Sequence, residues 1–314
     1  MSSPATAPAP AGRPLTLGAA AVMVVLCLSW GLNQVAIKLA LPDIPPLMMA
    51  TLRSTGGLLM VMLVARLRGV DIFERDDTLK AGMLAGLLFG LEFIVIYRGL
   101  LWTTATRAVV FLYVAPFVVA LASFRLGERL GPMQWGGLAL SFAGVALAIG
   151  VPQTDVDATV MIGDLMVVAG GVLWAATTIV VKLSPLLSAP AEKTLAYQLA
   201  VSIPILGLGS LAFGERITGW PGVVASMSLV YQTFWVVGLT FLFWFMLVRS
   251  FSASKLSAFT FMTPLFGVTA GHFVLHDPLS PAFVAAAVLV IAGLMLVNRP
   301  VRVPVDPLLT VTKT

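Results

Sequence analysis

From Leu17 to Leu41 the chain runs through twenty-five residues carrying a single charge, Lys38. A helix needs about 20 mostly apolar residues to cross the hydrocarbon core of a bilayer. Runs of this length recur along the chain. Short clusters of Pro, Gly and charge separate them: PDIPP at 42–46, RLRGVDIFERDD at 66–77, GERLGP at 127–132, PQTDVD at 152–157, GERITGWPG at 214–222 and HDPLSP at 276–281. The pattern reads as an all-α integral membrane protein. Composition agrees: 59% of the 314 residues are hydrophobic and 11% charged, where a soluble domain would have about a quarter charged. The net charge of +5 therefore carries no signal for nucleic acid, because basic residues in such a chain mostly set orientation. One cysteine, Cys27, excludes an internal disulfide and a cysteine-rich metal cage. Nothing in the sequence gives a basis for a cofactor.

Ten spans are expected, at 17–41, 46–67, 79–101, 104–125, 132–150, 160–183, 193–213, 222–248, 253–275 and 281–298. The first is too long for a signal-peptide apolar region and is read as retained. The Pro/Ala/Ser-rich residues 1–14 are expected to be a disordered tail, and 300–314 a second tail. With the N-terminus in the cytoplasm, inner segments hold 14 of the 19 Lys and Arg residues. Only Lys38, Arg98, Arg107 and Arg216 fall near the outer face, and Arg53 lies within a span. This bias follows the positive-inside rule and puts both termini in the cytoplasm.

The chain also repeats itself. Trp30, Asn33, Gln34 and Lys38 are matched by Trp174, Thr177, Thr178 and Lys182, at an offset of 144. Ala105, Thr106 and Arg107 match Ala253, Ser254 and Lys255 at 148, Pro116 matches Pro264 at 148, and Glu128–Pro132 matches Asp277–Pro281 at 149. One duplication with small insertions explains the drift. The repeats are expected at 15–151 and 152–299. Five spans in each half is an odd number, so the second half is expected upside down relative to the first. Such inverted repeats are a ground plan of secondary transporters, with substrate bound near the midplane.

The two Trp-to-Lys patterns, Arg53, the Ala105–Ala108 segment with Pro116, and the LGERLGP stretch at 126–132 resemble the EamA-type branch of the drug/metabolite transporter superfamily. Within it the chain is most similar to the YddG-type exporters of aromatic and other amino acids. The resemblance spans nearly all of 15–298. It implies a bacterial inner-membrane exporter with ten helices in two inverted five-helix repeats and a central cavity that faces alternate sides. Its expected partners are a small-molecule substrate, an amino acid or related metabolite, and the lipid bilayer; a monomer is compatible with this. The small four-helix multidrug members of the superfamily place an essential acid in their first helix. The first span here has none, which argues against their proton–drug exchange mechanism.

Glu92 is read as the one acid deep inside a span, midway along the third. A charge at that depth costs about 2.5–3.5 kcal/mol on insertion scales and usually faces a bundle interior or a wet cavity. Glu92 either meets a substrate amine or a proton on the pathway, or is a structural partner of Arg53. Trp30, Asn33 and Gln34 share one helix face, as do Trp174, Thr177 and Thr178. They line a cavity or bond between helices. Tyr231, Gln232 and Trp235 place aromatic and polar groups together in the eighth span. His272 is a candidate for an outer vestibule. The expected substrate-binding set is thus Glu92, Trp30, Asn33, Gln34, Trp174, Thr177, Thr178, Tyr231, Trp235 and His272. Pro116, Pro204 and Pro264 mark kinks, with Pro116 and Pro264 as gating hinges. Gly82, Gly86 and Gly90 form a small-residue ridge for close helix packing. On a helical wheel, that ridge side also takes Tyr97, away from Glu92. Two histidines, His272 and His276, and no His-Glu-x-x-His, phosphate-cradling loop or Gly-x-Ser-x-Gly make a membrane-embedded enzyme a remote alternative. A multidrug, nucleobase or sugar exporter of the same superfamily remains the nearer one.

Overall fold

The computed structural model describes residues 15–103, 105–112, 114–122, 125, 130–149, 157–275 and 282–298. Every regular element among them is helical. The helices are α1 (Leu17–Ala40), α2 (Pro46–Leu67), α3 (Leu79–Trp102), α4 (Ala105–Leu112), α5 (Ala115–Leu121), α6 (Pro132–Ile149) and α7 (Ala158–Lys182). Then come α8 (Ala191–Ala212), α9 (Val223–Val230), a π-helical segment (Tyr231–Thr240), α10 (Phe241–Ser250), α11 (Ala253–Phe259), α12 (Met262–Leu275) and α13 (Ala282–Asn298). Among the described residues six stretches, counting Val223–Ser250 as one, are long and apolar enough to cross a membrane. The matched segments Glu128–Pro132 and Asp277–Pro281, and His276, lie outside the described residues apart from Leu130–Pro132.

Helix starts carry the local chemistry that satisfies orphan N–H groups. The Thr16 hydroxyl accepts from the Ala19 amide at 3.2 Å, and the Asp157 carboxylate from the Thr159 amide at 3.5 Å. Pro46 and Pro132 open α2 and α6, where a missing N–H costs nothing. Internal prolines act differently. Pro116 cannot donate to the carbonyl of Leu112 and its ring crowds it; α4 ends at Leu112. Pro264 has the same relation to Thr260, which lies in the gap between α11 and α12. Two of the three expected kinks are thus helix breaks. α8, by contrast, continues through Pro204.

Glycines set how closely the helices pack. A Cβ on Gly82 would meet the Tyr197 ring at 2.4 Å, one on Gly86 would meet Val201 Cβ at 2.5 Å, and one on Gly90 would meet Ile205 Cδ1 at 3.0 Å. The ridge on α3 therefore receives one residue per turn of α8, and both partners advance together, so the helices run parallel. Gly137 and Gly144 seat α6 antiparallel against α13 in the same manner.

Helix contacts between the first and second parts of the chain recur in pairs related by the sequence repeat. α1 packs on α12, and α7 on α4 and α5; α3 packs on α8, and α2 on the π-helical segment; α3 packs on α7, and α1 on α9 and the π-helical segment. The two repeated lysines express this at atomic detail. Lys38 Nζ donates to the carbonyls of Leu100 and Thr103 at 2.8 and 3.2 Å. Lys182 Nζ donates to the carbonyl of Phe251 at 2.7 Å, and Phe251 is Thr103 shifted by 148. Each lysine caps the free carbonyls at the end of a long helix.

Candidate functional site

A cavity lies among α1, α2, α3, α4, α7, α8, the π-helical segment and α10. Its walls are aromatic. The Trp30, Trp174 and Trp244 rings meet with centroids 5.5–6.2 Å apart. Phe89, Phe93 and Tyr97 come from α3, and Phe241 and Phe245 from α10. Polar groups punctuate them: Asn33 and Gln34, Arg53, Glu92, Thr177 and Thr178, and Gln198.

Seven of the ten expected residues are therefore brought together: Glu92, Trp30, Asn33, Gln34, Trp174, Thr177 and Thr178. Part of their bonding capacity is already used. The Trp30 indole donates to Thr240 Oγ1 at 2.9 Å, and the Thr240 hydroxyl donates on to the Val236 carbonyl at 2.6 Å. Thr177 and Thr178 donate back to the carbonyls of Leu173 and Trp174, at 3.0 and 3.2 Å. Those two hydroxyls offer a substrate only their lone pairs.

The remainder is idle. Asn33 Oδ1, Gln34 Oε1, Glu92 Oε2, both amide atoms of Gln198, and Nε and Nη2 of Arg53 are buried without a hydrogen-bond partner. Glu92 is 6% exposed and Arg53 1%. Among the described residues no salt bridge joins Arg53 to Glu92. Arg53 instead donates from Nη1 to the Tyr97 hydroxyl at 3.0 Å and stands 4.1 Å from the Phe93 ring centroid. Unpaired buried polar groups are costly, and here five side chains carrying them face one space. Such a space is built for an occupant that supplies the missing partners.

Three expected residues are elsewhere. The Tyr231 hydroxyl donates to the Ser29 carbonyl at 2.8 Å, and the Trp235 indole to Ser29 Oγ at 2.8 Å. Both tie the π-helical segment to α1 and neither lines the cavity. Their neighbour Gln232 turns to the interior, where it accepts from the Tyr97 hydroxyl at 2.8 Å. His272 lies outside the cavity with its ring 5.2 Å from that of Phe273. Pro116 and Pro264 sit just after the helix breaks, not on the cavity wall. Tyr97, expected on the glycine side of α3, does line the cavity. Asp164 is a second buried acid, in the second turn of α7, and it is fully accounted for. It accepts from the Thr103 hydroxyl at 2.6 Å and from two nitrogens of Arg107.

The cavity residues that motif reading missed had a usable signal in the repeat. Phe93 and Phe241, Ile96 and Trp244, and Tyr97 and Phe245 are each 148 apart, and all six line the cavity.

The model of the EamA-like transporter family matches this chain twice, at residues 17–150 and 161–299. The chain belongs to the EamA-like transporter family. It is a multi-pass membrane protein whose function is to move a small molecule across a membrane. An uncharacterized transporter of Bacillus subtilis is 29% identical over 287 residues, 89% of this chain and 91% of its own length. A protein of Escherichia coli named probable amino-acid metabolite efflux pump is 27% identical over 292 residues, 88% of this chain and 93% of its own. A solved crystal structure shares the fold, with a TM-score of 0.75 at 20% identity, over 89% of this chain and 96% of that one.

Proposed function

We propose that this EamA-like transporter is a secondary exporter of amino acids, aromatic ones included, in a bacterial inner membrane. The observation that carries the reading is Glu92, an acid with an unpartnered buried oxygen on a cavity walled by three tryptophans. Glu92 attracts the substrate ammonium. Tryptophan faces attract cations and apolar side chains alike. Asn33, Gln34, Thr177 and Thr178 bond the polar ends of the substrate.

Ten transmembrane segments in two inverted repeats, 15–151 and 152–299, form the scaffold of the proposal. Three observations support it: the family model matches twice, the helix contacts are matched between halves, and Lys38 and Lys182 cap equivalent helix ends. In such a scaffold the cavity opens to one side and then the other as the halves rock. The breaks before Pro116 and Pro264 are placed to act as the hinges. Both termini are cytoplasmic in this reading. The relative named as an amino-acid metabolite efflux pump favours amino acids over other cargo. The tryptophan cluster also suits planar organic cations, the second reading.

Reconstitution of the purified protein into liposomes tests the choice. Radiolabelled amino acids should accumulate above the level of empty vesicles, with aromatic ones among the best. Transport of a planar cation with no uptake of any amino acid would overturn the first reading in favour of the second.

A further inference from the structure

We infer that the Nε and Nη2 edge of Arg53 is a carboxylate subsite of the cavity, so that the substrate bears a carboxylate as well as an amine. The inference rests on the amino-acid reading above and narrows it.

Arg53 is almost fully buried in α2, and one end of its guanidinium is held. Nη1 donates to Tyr97; Tyr97 donates to Gln232; Gln232 Nε2 reaches Met49 Sδ at 3.3 Å. Phe93 lies against the group, 4.1 Å from its central carbon. What this cradle leaves free is specific. Nε and Nη2 are the two nitrogens without a partner, and their N–H bonds lie side by side on one edge of the guanidinium plane. That edge is the fork that grips both oxygens of a carboxylate.

Among the described residues no carboxylate occupies the fork. Glu92 shares the cavity without pairing to it. Asp164 is taken up by Arg107, and Glu215 by the amides of Leu47 and Met48. Gln198, wholly buried and unpartnered at both amide atoms, adds a further donor on the same cavity. Burying an always-charged group with two idle donors is expensive, and a carboxylate is the ligand that repays it. Glu92 and Arg53 then mark the two poles of a zwitterion. The cavity should reject amines and amides that lack the carboxylate.

Four probes separate the possibilities on proteoliposomes carrying wild type, Arg53→Gln or Arg53→Lys: L-phenylalanine, L-phenylalaninamide, phenethylamine and 3-phenylpropanoate. The readouts are uptake and thermal protection of the purified protein. Wild type should prefer phenylalanine over its amide and over phenethylamine by at least about tenfold, because a site built around a polar group rejects the analogue lacking it. Arg53→Gln should bring that ratio close to one, and Arg53→Lys should fall between. If Arg53→Gln does not fold, the wild-type ratio alone decides. Equal use of phenylalanine, its amide and phenethylamine by wild type would overturn the subsite and leave the amino-acid reading standing. Phenylpropanoate binding that depends on Arg53, with no amino-acid uptake, would keep the subsite and overturn that reading. Response to none of the four probes would overturn both.

Discussion

Trp30 spends its one donor on Thr240, so its roles as a wall and as an anchor can be separated. Trp30→Phe keeps an aromatic surface and drops the bond. Such bonds inside membranes are worth about 0.6 kcal/mol on average, so the melting temperature in detergent should fall slightly. Trp30→Ala also empties volume beside Trp174 and Trp244, and should cost several times more, about 3–5 kcal/mol. Equal losses in the two variants would contradict the division. A second residue-scale prediction concerns Asp76, in the segment between α2 and α3. The Lys193 ammonium, 2.6 Å away, and the Thr78 hydroxyl hold its carboxyl down to about 2, from an ordinary 3.8. A lowered carboxyl stabilises the fold above its unfolded value and loses that contribution as pH falls toward the folded one. Thermal stability should therefore decline between about pH 4 and pH 2, and less in Asp76→Asn. An identical decline in that variant would refute the assignment.

At the scale of elements, the α3–α8 seam leaves no room for a methyl group. A Cβ on Gly86 would come within 2.8 Å of the Tyr197 carbonyl, which cannot rotate away. Gly86→Ala should lower stability by about 1–3 kcal/mol. Gly136, with nothing within 4 Å of an added Cβ, should accept alanine without loss and gain helix propensity of up to about 1 kcal/mol. Thermal denaturation of the pair checks both, and equal melting temperatures would argue against the seam. Much of this scale is legible in the sequence. The described helix ends fall within a few residues of the expected spans, because polar clusters bound each apolar run. The glycine ridge was readable from its four-residue spacing. Positions of polar residues within apolar runs revealed Asn33, Gln34, Glu92, Thr177 and Thr178. The π-helical segment was not legible: an apolar run has the same composition whichever carbonyl each amide meets. Tyr231 and Trp235 of that segment bond Ser29 of α1, a partner that their spacing alone does not identify. Phe93, Phe241, Trp244 and Phe245 were not legible from composition, only from following the 148-residue repeat through the apolar runs. Aromatic residues in an apolar run look the same whether they face lipid, protein or a cavity.

The whole molecule has an orientation that charge counting proposes and labelling can test. On a background with Cys27 replaced, Thr218→Cys in the exposed segment before α9 should react with an impermeant maleimide from outside. Arg75→Cys, in the segment before α3, should not. The reverse pattern would invert the topology. In the proposed transport path Glu92 is the residue that meets the substrate amine. Liposomes carrying wild type or Glu92→Gln should therefore be compared for amino-acid uptake at matched protein content. Uptake above empty vesicles that drops by at least about tenfold in the variant, with the variant still folded, is the predicted result; equal uptake by the two proteins would contradict a role for Glu92 in binding the substrate amine.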